Sequence, residues 1–203
     1  MSLGKQAKIL TKPQTDAVLA YLGSTRHPLR NRVIFLLSVK AGLRAKEIAC
    51  LTWAMVTDAE GALASTISLT DLASKGRGGR VIPINKELHR ALGALKANAD
   101  KMTRPSLFVI TSERASRTSS FAIVNKFSAW YQGLGFIGTS SHSGRRTAIT
   151  NWARKISTVG GSLRDVQLLA GHSALSTTQR YIESHGAAQR RVVELVSLCT
   201  KEC

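Results

Sequence analysis

Only one stretch of this chain alternates as β-strands do, and that limits its fold more than any other feature. Thr66-Ile67-Ser68-Leu69 and Arg80-Val81-Ile82-Pro83-Ile84 read as two short strands, with Lys75-Gly76-Arg77-Gly78-Gly79 as the turn between them. Elsewhere the apolar residues recur at helical spacing. Thr11 and Pro13 mark the start of one helix, and Pro28 opens a second that runs through Val33 to Val39 and closes at Gly42. A third, short helix carries Ile48, Leu51 and Trp53. Lys86 to Ala97, Ser119 to Leu134, Arg145 to Lys155, Leu163 to Ala170 and Thr177 to Glu183 read as helices too, while Leu107 to Ile110 reads as a short strand or extended piece. The expected class is α+β, mainly α-helical, with a small antiparallel β-sheet. With 203 residues, no internal repeat and no convincing linker, residues 1–203 read as a single domain.

Charge narrows the partner. Lys and Arg number 29 against 12 acidic residues, a net charge of +17. Such an excess calls for a polyanion, because each neutralised phosphate releases condensed counterions. Aromatic residues are only 5% of the chain, which disfavours stacking on single-stranded bases and favours the duplex backbone. No apolar run reaches the roughly 18 residues of a membrane span, and the N-terminus lacks the zones of a secretory signal. Cys50, Cys199 and Cys203 are odd in number and form no C-x-x-C pair, so a reduced, cytoplasmic setting is expected.

Four separated segments carry the chemistry: Gly42-Leu43-Arg44 with Glu47; Lys75 to Pro83; His142-Ser143-Gly144-Arg145-Arg146; and Gly171-His172 followed by Ser176-Thr177-Thr178-Gln179-Arg180-Tyr181. Singly, each has a plain structural explanation. Arg44 reads as a solvated helix-start arginine, Lys75 as a loop charge, His172 as a bridge between helices, and Tyr181 as a half-buried packing residue. Together, in this order and spacing, they resemble the tyrosine recombinase (phage integrase) family over about residues 11–183. Its Gly-Leu-Arg box falls on Arg44 and Glu47, its sheet-turn lysine on Lys75, its His-x-x-Arg box on His142 and Arg145. Its Gly-His box falls on His172, with the tyrosine nine residues later at Tyr181.

The resemblance implies the catalytic-domain fold of DNA breaking-rejoining enzymes and a nucleophilic Tyr181. The residue types suit that chemistry. Anionic oxygens shield a phosphodiester from attack, and guanidiniums grip those oxygens bidentately and stabilise charge growing on the phosphorane. Arg44 and Arg145 fill that role. Attack by a tyrosine hydroxyl yields a 3′-phosphotyrosine that conserves the bond for resealing without ATP. By family analogy Lys75 protonates the departing sugar oxygen, His142 takes the tyrosine proton directly or through the phosphate, and His172 donates a hydrogen bond to the phosphate. Glu47 supports, orienting neighbouring groups. Arg77, Arg80, Arg146 and Arg180 are candidate contacts to the DNA backbone, with solvated or structural roles open for each.

No clustered carboxylates, no Gly-Lys-Ser/Thr phosphate loop and no histidine–thiolate spacing appear, so neither a metal nor any other cofactor is expected. The chain departs from the family pattern twice. Its boxes begin within the first fifty residues, so the helical N-terminal core-binding domain that clamps DNA in larger relatives is expected to be absent. Gly144 also replaces an apolar residue common between the His and Arg of the second box. The amphipathic segment from Ala187 to Leu198 either packs onto a neighbouring protomer, as in relatives, or covers its own core. The leading expectation is site-specific recombination of duplex DNA (integration, excision or inversion of a mobile element) by a homo-oligomer, a dimer or tetramer on DNA, in a bacterial or phage-related cytoplasm at the nucleoid. A type IB topoisomerase, a non-catalytic DNA-binding regulator and a basic RNA-binding protein are the alternatives.

Overall fold

The computed structural model describes residues 7–70, 79–100, 106–113, 115–181 and 193–194. Helix α1 (Lys12–Gly23) starts at Thr11, whose hydroxyl accepts from the Gln14 N–H while the Gln14 side chain accepts from the Thr11 N–H. This reciprocal cap satisfies donors that a helix start leaves orphaned. Helix α2 (Pro28–Val39) has every residue from Val33 to Val39 buried. A helix apolar on all sides belongs in a core, and α2 packs against α1, α4 (Lys86–Ala99) and α6 (Ser143–Lys155). Helix α3 (Ala45–Cys50) lies against α5 (Ser120–Gly133).

Strands β1 (Thr66–Leu69) and β2 (Arg80–Pro83) form one antiparallel pair, with Ile67 opposite Ile82 and Leu69 opposite Arg80. Ile67, Leu69 and Ile82 are buried. Side chains two apart on a strand share a face, so Arg80 points to the same side as buried Ile82. Leu107 to Ile110, expected as a short strand or extended piece, forms no strand and makes a single bridge, Phe108 to Thr52.

Next come α7 (Leu163–Ala170), capped reciprocally by Ser162 and Asp165, and α8 (Leu175–Gln179). Helix α6 begins two residues before the expected Arg145. Helix α8 runs two residues ahead of the expected start at Thr177 and stops at Gln179, where the Arg180 N–H turns back to the Thr178 carbonyl. Lys75, Arg77 and most of the 187–198 segment lie outside the described residues.

Two apolar clusters result. The larger joins α1 to α5 and both strands; the smaller consists of Ile149, Val166 and Ala170, with Trp152, Ile156, Leu163 and Tyr181 packed on it. No helix among the described residues is long and apolar enough to cross a membrane.

Candidate active site

The turn after α2 sets the first arginine. Gly42 takes a left-handed φ of 64°, and a Cβ there would meet the Trp152 ring at 2.8 Å. Only glycine accepts both demands. Arg44 then caps α3 in extended conformation, and the Glu47 carboxylate reaches back to it. Glu47 Oε2 accepts the Arg44 backbone N–H at 2.7 Å, and Oε1 accepts Arg44 Nη1 at 2.9 Å. Glu47 is 1% exposed, while Arg44 remains 29% exposed.

Arg80, expected with Arg77 at the DNA backbone, is instead turned inward. Its side chain is 7% exposed, and all three guanidinium nitrogens are engaged. Nη1 and Nη2 donate to Glu47 Oε1 and Oε2 at 2.9 and 3.0 Å, and Nε donates to the Leu169 carbonyl at 3.0 Å. Glu47 thus accepts four hydrogen bonds. Burial alone would push its pKa up, but the hydrogen bonds and charges of Arg80 and Arg44 outweigh that and hold it below the usual carboxylate range.

Arg145, in the first turn of α6, is 4% exposed. It donates from Nη1 to the Gly42 carbonyl and from Nη2 to the Ala170 carbonyl at 2.7 Å. Arg80 and Arg145 together therefore satisfy two carbonyls in the last turn of α7, where a cation also suits the helix dipole. Burial, then the neighbouring Arg44 charge, lowers the Arg145 pKa to about 10, with Glu47 opposing. The residue stays charged at neutral pH. Gly144 explains the departure from the family pattern: a Cβ there would lie 2.5 Å from Ser38 Oγ, so the close approach of α6 to α2 requires its absence.

Helix α7 ends at Gly171 in left-handed conformation, and His172 follows. Arg145 Nη2 lies 3.1 Å from His172 Nε2, and His172 Nδ1 lies 2.9 Å from Thr178 Oγ1. Arginine only donates, so Nε2 accepts and Nδ1–H donates to the threonine hydroxyl. Burial, then the charges of Arg145, Arg44 and Arg80, lowers the His172 pKa to about 4, so the ring is neutral at neutral pH. Its face stacks on Tyr181, with ring centroids 5.5 Å apart and planes at 23°. Thr178 is fully buried and fixes this ring, a role that the Ser-Thr-Thr run signalled only as part of a motif.

Tyr181 is partly buried and follows α8, its N–H bonded to the Thr178 carbonyl at 3.0 Å. His142 is exposed at the N-terminus of α6, and Arg180 is exposed just after α8. Arg146 donates to the Ala7 carbonyl at 3.1 Å. The structure brings Arg44, His142, Arg145, Arg146, His172, Arg180 and Tyr181 to one cleft of about 480 Å³. Among its described lining residues none is acidic; Glu47 lies buried beside Arg44.

The sequence pattern of the Phage integrase family matches residues 8–187. A tyrosine recombinase XerD from Xanthomonas axonopodis pv. citri (strain 306) is 31% identical over 187 residues, covering 86% of this chain and 57% of the relative. The fold is also that of the XerA recombinase crystal structure, with TM-score 0.73, 22% identity, and coverage of 92% of this chain and 64% of that one. A Tn1549 transposon integrase (aa 82–397) in complex with circular intermediate DNA matches with TM-score 0.73 and 19% identity, over 96% of this chain and 68% of that one. The chain belongs to the phage integrase family of tyrosine recombinases and has the fold of their catalytic domains. It spans little more than half the length of the XerD relative.

Proposed function

We propose that this chain cuts and rejoins duplex DNA for site-specific recombination, with Tyr181 as nucleophile. The observation that carries this reading is the cleft itself: four arginines, two histidines and a tyrosine, with no acidic lining residue among those described. A phosphodiester is the anion such a lining suits, and the net charge of +17 supplies the long-range attraction to DNA.

In this mechanism Arg44 and Arg145 hold the non-bridging oxygens. The Tyr181 oxygen bonds to phosphorus as the bond from phosphorus to the 5′ oxygen breaks, and the tyrosine proton passes to His142 directly or through the phosphate. Lys75 protonates the departing 5′ oxygen, leaving a free 5′-hydroxyl and a 3′-phosphotyrosine. Reversal with a different 5′-hydroxyl completes strand exchange. His172 donates to the phosphate once Arg145 Nη2 turns its hydrogen from Nε2 to the phosphate oxygen and the ring proton moves to Nε2, with the Thr178 hydroxyl then donating to Nδ1. Glu47 orients Arg44. Arg146, Arg180 and Arg77 are assigned to the DNA backbone, and no metal, ATP or other cofactor enters any step. We place the protein in the cytoplasm at the nucleoid, acting as a homo-oligomer on DNA.

The test is incubation with nicked duplexes of randomised sequence and with supercoiled plasmid, with and without EDTA. A detergent-stable protein–DNA adduct that persists in EDTA is expected, along with recombinant products once a cognate site is enriched. Plasmid relaxation without recombinants would move the chain to the topoisomerase reading. Tight binding with no adduct would make it a non-catalytic regulator.

A further inference from the structure

We propose that Arg80 is a positioning residue for DNA cleavage, acting on Arg44 through Glu47 and on His172 through the end of α7, and that it does not contact DNA. This rests on the strand-cutting reading above.

Strand alternation aims Arg80 into the protein beside Ile82, and two separate segments, α3 and the end of α7, meet on its guanidinium. Its bidentate pair with Glu47 occupies one site on each carboxylate oxygen, so Arg44 lends that carboxylate only Nη1 and its backbone N–H. The remaining nitrogens of Arg44 are left for an anion in the cleft. Without Arg80, a carboxylate that is 1% exposed would have one cationic partner. A buried, half-paired carboxylate draws the available donors to itself, and Arg44 would close a second hydrogen bond onto Glu47 at the phosphate's expense.

The second arm reaches the other side of the cleft. Nε holds the Leu169 carbonyl, and Arg80 packs so closely under Gly171 that a Cβ there would sit 2.8 Å from Nη1. Gly171 is the residue before His172. Arg80 thus braces the turn that presents the histidine, while Arg145 braces it from the Ala170 carbonyl.

The experiment compares wild type, Arg80→Met, Arg80→Lys, Glu47→Gln and the Glu47→Gln/Arg80→Met double variant. Circular dichroism establishes folding; Arg80→Lys, which keeps a cation beside Glu47, carries the comparison if Arg80→Met does not fold. One readout is the rate of covalent adduct formation on nicked duplexes of randomised sequence. The other is the salt dependence of non-covalent binding to the same duplexes without the nick. Arg80→Met is expected to slow adduct formation on the order of 100-fold, the scale of one misplaced transition-state donor, and Arg80→Lys by roughly a tenth of that loss. The salt slope is expected to stay at the wild-type value, and the double variant to lose less than the product of the two single losses, because both residues act on Arg44 while Arg80 alone braces the turn before His172. Adduct rates within about threefold of wild type in both Arg80 variants would overturn the inference. So would a salt slope reduced by about 0.9, the mark of a lost phosphate contact, or losses that multiply in the double variant. Failure of wild type to form any adduct would instead strike the strand-cutting reading, so the two failures are distinct.

Discussion

Arg145 and Tyr181 line the same cleft, yet they are held in different ways. The Arg145 guanidinium is buried and tied to the turn after α2, the end of α7 and His172. Arg44, Glu47 and Arg80 beside it stand on the large core. Tyr181 packs on the small cluster of Ile149, Val166 and Ala170, is steadied by a stack on His172, and makes no hydrogen bond through its hydroxyl among the described residues. The difference has a physical sense. Groups that stabilise charge work best when their orientation is fixed before reaction, whereas segments that move draw on the least-packed parts of a fold. In the proposed mechanism the arginine floor that holds the anion is preformed, and Tyr181 is lightly restrained beside it.

The largest expected effect comes from breaking the floor. Arg145→Ala removes the proposed transition-state donor and leaves the Gly42 and Ala170 carbonyls without their partner. Adduct formation on nicked duplexes is expected to fall by about 10³-fold, measured by gel under single-turnover conditions. A loss under tenfold would mean that the buried arginine is structural.

A smaller effect concerns the junction between the two regions. The His172 pKa is lowered to about 4 in the folded chain, by burial first and by Arg145, Arg44 and Arg80 next. The unfolded chain binds a proton near pH 6.5, so it holds more protons than the folded chain between those values. Stability is therefore present above pH 6.5 and is lost as pH falls toward 4. With the ring only half-buried, the change is roughly tenfold in the folding constant after allowance for solvent screening. Urea titrations across that window check it, and His172→Asn is expected to flatten the pH dependence.

The smallest effect belongs to the exposed rim. Arg180→Gln is expected to lower the slope of log affinity against log salt by about 0.9 while leaving the fold untouched. An unchanged slope, measured by fluorescence anisotropy on duplex DNA, would remove Arg180 from the DNA interface.

How the site could be read from sequence follows the same division. Arg44, His142, Arg145, His172 and Tyr181 were legible because each sits in a short run with fixed spacing, and the fold carries all five to one cleft. Helices with clear apolar periodicity, such as α4 and α7, were legible for the same reason. Arg80 was not. Val81 and Ile82 are both apolar, so alternation could not say which face was buried, and its partners lie 33 and 89 residues away. Thr178 was hidden because its bond to His172 depends on the turn between α7 and α8. Gly144 read only as a departure from the family pattern, and its reason, the close approach of Ser38, is tertiary.

The central claim is that Tyr181 is the nucleophile, and the most direct measurement is the covalent adduct itself. Wild type and Tyr181→Phe are incubated with nicked duplexes, and the adduct is digested and mapped by mass spectrometry. The account predicts a DNA-linked peptide containing Tyr181 in wild type and no adduct in Tyr181→Phe, whose DNA affinity stays within about twofold of wild type. An undiminished adduct in Tyr181→Phe, or a link mapped to Tyr21 or Tyr131, would contradict it.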